Sequence, residues 1–493
     1  MSSTFFGIDI AKSGLAAQKR AMDVLGYNIA NANDPTYKRQ RVVQTEGQIL
    51  ATSTESSPLG STAFGTGTGS GDVERVRDAL VEHRMNIATQ SASNWDFKSG
   101  LTTQIESILG EPSDSGLQTD IDNFWDSWQT VATTPDSLSN RSGLVQDAEA
   151  LCQRMQDTVG QLKTMKDDLN LQVQTKVDRI NAIGQEIANL NNQIGSLSSG
   201  AMPVNDLQNR RDALVLELGG LVNCNQSGDG KESYMISIGG TMLVQGTKFN
   251  AIQTTVDATT GQKDVTWADT GAAVQVNNGE LAGAIEIRDQ TIPDYLKQFD
   301  NIAVGLVEYV NSIHETGYDL NGDKGVAFFT PNDPVGSVSA ANISVNSALI
   351  SDASLVAASG EAPTTSSTGT KTIAKANGDI ALKISDIKNT LIEQFPPKPS
   401  TDTYQVFSSP LTINQMYQKL VGDVGSSASV ASRQATAQKL SYDQYAQQAQ
   451  SISGVSLDEE MTNMVKFQQA YNSSSRVLTT MNDMLQTLID MAK

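Results

Sequence analysis

Three observations predict a mainly α chain with a β insertion, an α+β fold of several domains. Apolar side chains recur at the 3/4 spacing of a helix at both chain ends, over 8–32 and 457–492. Helical patterning fills most of the sequence between those ends. At Gly228 it gives way to short β-branched runs broken by Gly, Asn and Asp, the pattern of antiparallel strands. With helices at both ends and strands between them, the strands are predicted to form an insertion carried on a helical stalk.

At the front, Ile8, Ala11, Leu15, Gln18, Met22, Leu25, Ile29 and Ala32 make one helical row with a single polar member. Asn33 and Asp34 before Pro35 end it. Arg41 to Glu46 alternates weakly, as a short strand does, and Thr52 to Gly71 is Ser, Thr and Gly with little apolar content, read as an extended or flexible loop. A helix is predicted from Asp78 through Leu80, Ile87 and Trp95 to Leu109, followed by a break at GEPSDSG. A second helix, Asp120 to Val131, carries Phe124, Trp125 and Trp128.

Residues 140–222 read as two or three helices. Val159, Leu162, Leu169, Val173, Val177, Ile180, Ile187, Leu190 and Ile194 continue one stripe, SLSSGAMP interrupts it, and a shorter helix capped by Asn205 returns to Val222. The short connection favours an antiparallel hairpin. Past Gly228, SYMISIGGTMLVQGTKFNAIQTTVD, QKDVTWAD and AAVQVNN are predicted strands. Helix resumes over Leu281 to His314, Ala340 to Thr372 mixes strands such as ISVNS with loop, Ala381 to Gln394 is helical, and PPKPSTD is a linker.

A last helical region runs from Leu411 through Tyr417, Leu420, Val424, Val430, Leu440 and Tyr445 to a joint at Ser451 to Val455. The terminal helix then shows the row Leu457, Met461, Met464, Phe467, Tyr471, Ser474, Leu478, Met481, Leu485, Leu488 and Ala492, with one slip between Met464 and Phe467. Ser456 with Glu459 three residues on fits a capping box.

An amphipathic helix takes most of its stability from packing its apolar face, so each end needs a partner. The two ends are predicted to pair with each other as a coiled coil and with copies of the chain, ordering fully only there. Residues 1–40 and 453–493 then form a terminal coiled-coil domain, 41–225, 281–318 and 405–452 a helical bundle stalk, and 226–280 and 319–404 an outer β-rich insertion. The candidate interface is the paired stripes: Ile8, Leu15, Met22, Leu25 and Ile29 in front, and Leu457, Met461, Met464, Phe467, Tyr471, Leu478, Met481, Leu485 and Leu488 behind.

A net charge of −20 argues against nucleic acid or an anionic membrane as partner, since either requires clustered bases. No apolar run is long enough to span a membrane, and the N-terminus lacks the basic and apolar regions of a cleaved secretory signal, which taken alone implies the cytoplasm. Two histidines, His83 and His314, and two cysteines, Cys152 and Cys224, offer no spacing for a metal or a nucleophile with an imidazole base, so no catalytic residue, metal or cofactor is predicted. GTGTGSG lacks the lysine and the preceding strand of a phosphate loop. Asp319, Asn321 and Asp323 in YDLNGDKG resemble an acidic calcium loop, but Gly325 comes one position late and Thr330 stands where a bidentate Glu is needed, so a tight turn is the reading.

Ser13 to Gln40, SGLAAQKRAMDVLGYNIANANDPTYKRQ, closely resembles the N-terminal signature of the flagellar rod, hook and hook-associated axial proteins, an Asn-Ile-Ala-Asn block followed by a Tyr-Lys-Arg turn. Asp34 and Thr36 stand where that signature has Thr and Gly, so the turn is expected to differ, Gly being the residue that tolerates positive φ. Ser453 to Met491 resembles the family's C-terminal block, and Asn205 to Val222 and Asn278 to Phe329 resemble its hook-associated members rather than hook or rod subunits.

The resemblance implies a non-catalytic structural subunit that assembles itself into a tubular ring at the junction of hook and filament. It implies as partners the flagellar hook protein, hook-associated protein 3, a cytoplasmic export chaperone on the C-terminal helix, and the flagellar type III export apparatus. The location implied is extracellular, in the flagellum, reached without a cleaved signal peptide. Alternatives are another axial subunit of hook or rod, a secreted coiled-coil adhesin or signalling protein, and an axial protein with a catalytic insertion.

Overall fold

The computed structural model describes residues 6–47, 49–52, 62–113, 116–197, 202–228, 234–332, 337–365, 371–392 and 410–491. They form two compact units, one of Met1–Asn94, Thr175–Leu281 and Ala437–Lys493, the other of Trp95–Gln174 and Ala282–Thr436. The chain is mainly helical with small antiparallel sheets, and its terminal helices pack on each other.

In the first unit α1 (Phe6–Ala30) runs antiparallel to α11 (Leu457–Met491), with Gly7 against Met481, Gly14 against Ser474 and Asn28 against Glu460. Each of those pairs of numbers sums to 488, so one unslipped register holds over 22 residues of α1 (7 to 28), a rise of about 31 Å at 1.5 Å per residue. The cap forms in part: Ser456 Oγ accepts from Glu459 N–H at 3.5 Å, while the Glu459 carboxylate turns to Arg39 at 2.6 Å.

β1 (Gln40–Glu46) pairs with β4 (Thr68–Arg75), and β2 (Ile49–Thr52) with β3 (Thr62–Gly65) inside that hairpin. The loop expected over Thr52 to Gly71 is therefore largely strand, apart from 53–61, which lie outside the described residues. Backbone hydrogen bonds make a ribbon whatever the side chains, so a Ser/Thr/Gly run without apolar alternation can still pair. The β1–β4 ladder shifts register between Val42 and Gln44, and a Cβ on Gly71 would lie 2.0 Å from the Val43 carbonyl oxygen. Only glycine fits that bulge.

α2 (Ala79–Leu109) starts as expected at Asp78, whose Oδ1 accepts from the Leu80 and Val81 N–H groups at 2.9 and 3.2 Å. Residues 138–196 form one helix, α4 (Leu138–Ser196), because its stripe is never broken by a helix-ending residue, so with α5 the region holds two helices, the smaller number expected. α5 (Met202–Leu221) folds back antiparallel along the α4 residues of the first unit, as the ion pairs Arg210–Glu186 and Arg179–Glu217 (both summing to 396) show. It begins at Met202, so Asn205, expected as its cap, is interior and buried, its Nδ2 donating to Gln40 Oε1 and Val73 O at 3.0 Å each.

The four-stranded sheet β5 (Cys224–Ser227), β6 (Met235–Ile238), β7 (Thr241–Gln245) and β8 (Lys248–Phe249) lies on α4, with Phe249 and Leu243 against Gly184. Arg211 stacks 3.6 Å over the Tyr234 ring beneath it. β9 (Ile252–Val256) and β10 (Lys263–Trp267) make a separate hairpin, locked to α4 through Asn181, which donates to Ile252 O at 2.7 Å and accepts from Ile252 N at 3.0 Å. Of AAVQVNN only Ala273 pairs, in a single bridge to Thr266.

The second unit is built on aromatic side chains. α3 (Leu117–Thr133) buries Phe124, Trp125 and Trp128, with Phe124 against Phe328 and Phe329 and Trp128 against Phe328. The helix expected over Leu281 to His314 is interrupted: α6 (Gly279–Glu286) passes through a π turn, Ile287–Thr291, into α7 (Ile292–His314). One wide turn leaves the apolar spacing almost unchanged, so periodicity does not report it. β11 (Phe329–Pro331) pairs with β12 (Ile343–Val345), followed by α8 (Ser347–Ser351), the β13 (Thr364–Thr365) and β14 (Lys371–Thr372) pair, and α9 (Asp379–Ser385). α9 ends well short of the expected Gln394, which with the linker PPKPSTD lies outside the described residues.

α10 (Ile413–Ser453) enters this unit with Asn414 accepting from the Trp125 indole N–H at 3.0 Å. At Asp319 the acidic loop is a turn, one carboxylate oxygen accepting from the Asn321 and Asp323 N–H groups at 2.8 Å each.

Candidate assembly interface

The register of α1 on α11 sets Gly7, Ile10, Gly14, Ala17, Ala21, Val24 and Asn28 opposite Met481, Leu478, Ser474, Tyr471, Phe467, Met464 and Glu460. Both rows alternate steps of three and four without a slip, the seam of an antiparallel coiled coil. Small residues on α1 receive mostly large ones from α11, which lets the two backbones approach closely.

The predicted interface residues divide accordingly. Met464, Phe467, Tyr471, Leu478 and Met481 lie on the seam, and with Leu485 they are half-buried. On α1 the predicted row runs one residue beside the seam: Leu25 is buried, whereas Ile8, Leu15, Met22 and Ile29 are half-buried. Leu457, Met461 and Leu488 face away, 51%, 54% and 56% exposed, and with Val465, Val477, Met484 and Ile489 they leave an apolar ridge uncovered along α11.

Polar side chains secure the closed end of the seam. Asn28, fully buried, makes four hydrogen bonds: its Nδ2 donates to Gln40 O at 2.9 Å and to Glu460 Oε2 at 2.8 Å, and its Oδ1 accepts from Tyr37 OH at 2.8 Å and Gln40 N at 3.0 Å. Tyr37 meets Tyr27 edge-on at 5.8 Å, and Tyr27 OH donates to Asp206 Oδ2 at 2.5 Å, which, with burial, pushes the Tyr27 phenol up to about 12. Burial is the first cause that also raises Tyr37.

The preceding turn is closed by Asp34, whose Oδ1 accepts from Thr36 N at 2.8 Å and Thr36 Oγ1 at 2.7 Å. No described residue other than glycine has positive φ, so an Asx turn does here what a glycine does in the usual signature.

Lys38 and Arg39 point to different neighbours. Arg39 N–H donates to Ser453 O at 2.8 Å and its guanidinium pairs with Glu459, joining the turn to the end of α10 and the start of α11. Lys38 reaches Glu82 on α2 and Asp212 on α5, the latter at 2.9 Å, and Arg75 from β4 meets the same Asp212 oxygen at 2.7 Å. Burial alone would raise the Asp212 carboxyl, but the two cations hold it at about 2. Four elements thus converge on the Tyr-Lys-Arg turn. A search for apolar stripes passes over Asn28, Gln40, Asp206 and Glu460; the one signal for them was the Asn-Ile-Ala-Asn block followed by Tyr37-Lys38-Arg39.

Comparison with known proteins places this arrangement. The model of the flagellar hook-associated protein FlgK helical domain matches residues 102–329, that of the flagella basal body rod protein matches 8–38, and that of the flagellar basal body rod FlgEFG protein C-terminal matches 446–491. Flagellar hook-associated protein 1 of Bacillus subtilis (strain 168) is 26% identical over 526 residues, covering 99% of this chain and 99% of the relative. The chain matches flagellar hook-associated protein 1 over nearly its whole length. The relatives of that name from Salmonella typhimurium and Escherichia coli (strain K12) are each 26% identical, covering 98% of this chain and 99% of their own length.

The solved structure of the flagellar hook junction protein FlgK from Burkholderia pseudomallei shares the fold, with a TM-score of 0.62 at 17% identity, over 75% of this chain and 100% of that one. Like these relatives, the chain is a structural component of the flagellum and works with other flagellar components; the hook-associated family is non-enzymatic. No helix among the described residues is long and apolar enough to cross a membrane.

Proposed function

We propose that the chain is the subunit that joins flagellar hook to filament, assembling through its terminal helices into a short tubular ring and acting by mechanical contact rather than catalysis. The observation that carries this reading is the uncovered ridge of α11: Leu457, Met461, Val465, Val477, Met484 and Leu488 remain exposed after α1 and α11 have paired. An apolar face of that length on a paired helix calls for a further partner. Neighbouring copies in a tube supply one. Before assembly the same Met-rich ridge suits the groove of a cytoplasmic export chaperone.

In this reading the terminal pair lines the inner wall of the ring, the helical stalk forms its middle, and the strands of 226–280 and 319–404 lie outermost. The ring meets the hook protein on one side and hook-associated protein 3 on the other. The chain reaches the cell exterior through the flagellar type III export apparatus. Deleting the gene tests the assignment: cells should keep complete hooks, lack filaments and release flagellin into the medium. Filaments on normal hooks in the deletion strain would overturn it.

A further inference from the structure

The α1–α11 seam contains one buried carboxylate. Glu460 is 2% exposed, and Asn28 opposite it is fully buried. Asn28 is not free to reorient: Tyr37 and the Gln40 backbone occupy its Oδ1 and one of its two N–H donors. Its remaining N–H points across the seam at Glu460 Oε2, 2.8 Å away. Two polar groups at opposed seam positions cost stability relative to apolar ones and are well suited to choosing a register.

The rest of the seam chooses poorly. Sliding α11 by one heptad sets Gly14 opposite Met481 or Phe467, and both arrangements repeat the same small-against-large match. Either slide, however, separates Asn28 from Glu460. In one, Asn28 meets Phe467; in the other, Glu460 faces Ala21, whose side chain offers no donor. Leaving such groups unpaired in a buried seam is penalised strongly.

We propose that the Asn28–Glu460 pair is the register key of the terminal helices, selecting one antiparallel alignment of α1 on α11 from several that packing alone would accept. Glu460 is thus a positioning residue, and Met461 beside it is left for the outer ridge. This inference concerns pairing within one chain and stands apart from the junction reading.

Disulfide trapping in the full-length chain tests it. The Cβ position of Gly14 lies 3.5 Å from Ser474 Oγ, so Gly14→Cys with Ser474→Cys reports the native register. Gly14→Cys with Met481→Cys, and with Phe467→Cys, report the two slips. Cys152 and Cys224 are buried and stay in place. In the parent, oxidation should link 14 to 474 alone. With Asn28→Leu and Glu460→Leu together, the 14–474 yield should fall severalfold and at least one slipped link should appear, whereas Glu460→Gln, which keeps an acceptor for Asn28, should retain the single register. The proposal is overturned if the Leu pair still links only 14 to 474. It is equally overturned if that variant forms none of the three links, since the pair would then be needed for association itself and not for alignment.

Discussion

His314 illustrates what a single buried residue contributes. Its ring is fully buried beside Trp128 and Phe328, with Nδ1 donating to Val326 O at 2.5 Å and Nε2 accepting from Ala357 N–H at 2.8 Å. A proton on Nε2 would face that backbone donor. Burial lowers the imidazole to about 4, with the Val326 carbonyl opposing and the Arg141 guanidinium assisting. Because the unfolded chain binds this proton near pH 6.5, the contribution is complete above that value and is lost as pH falls toward 4, amounting to about 3 kcal/mol. Guanidinium unfolding followed by tryptophan fluorescence should therefore show the second unit weakening across that window, and His314→Gln, although less stable throughout, should show a flatter slope. Parallel slopes would remove His314 as the cause. Little of this was legible beforehand, because His314 ends a helix and its acceptor and donor lie 12 and 43 residues further on. Glu460 was hidden in the opposite way. Hydrophobicity selects Met461 for the seam and so creates a slip between Met464 and Phe467, whereas a carboxylate with a waiting donor is as good a seam residue as its oily neighbour.

At the scale of elements, long periodic helices were read well and short strands poorly. Asp120 to Val131 was expected where α3 spans Leu117–Thr133, and Arg41 to Glu46 where β1 spans Gln40–Glu46. Each has a dense local pattern. β2 and β3 have none, since what holds them is a partner strand, and Asn205 resembles a cap until the helix is seen to begin three residues earlier. The β1–β4 ribbon makes the sharper prediction. It bulges at Val43, and the Gly71 backbone approaches the Val43 carbonyl too closely to admit a side chain. Gly71→Ala should therefore cost about 2 kcal/mol or more, the scale of forced backbone displacement in a packed site. Gly26→Ala on α1, where an added Cβ meets nothing within 4 Å, should be neutral or slightly stabilising through helix propensity. Equal losses of thermal midpoint in the two variants would contradict the bulge as the cause.

For the molecule as a whole, the distribution of buried side chains implies unequal stability along the chain. The second unit buries Phe124, Trp125, Trp128, Phe299, Phe328 and Phe329 almost completely. Over the seam, by contrast, α1 contributes mainly Gly and Ala, and most of the large α11 side chains are only half-buried. A helix pair with so little covered area is marginal by itself, whereas a segment that gains its contacts from neighbouring copies orders when it meets them. Hydrogen exchange on dilute monomer should find the amides of α1 and α11 exchanging orders of magnitude faster than those of α3 and α7, with the slowest terminal amides near Asn28 and Glu460, where the polar network holds both helices to β1 and α5. If copies assemble into the proposed ring, the same helices should become as protected there as α3. Replacing Met461, Met484 and Leu488 by Ser, all exposed in the single chain, should leave monomer exchange and unfolding nearly unchanged. The ring-dependent protection should disappear with them. Full protection of α1 and α11 in dilute monomer would mean that the seam suffices without neighbours, and conditional ordering would have to be abandoned.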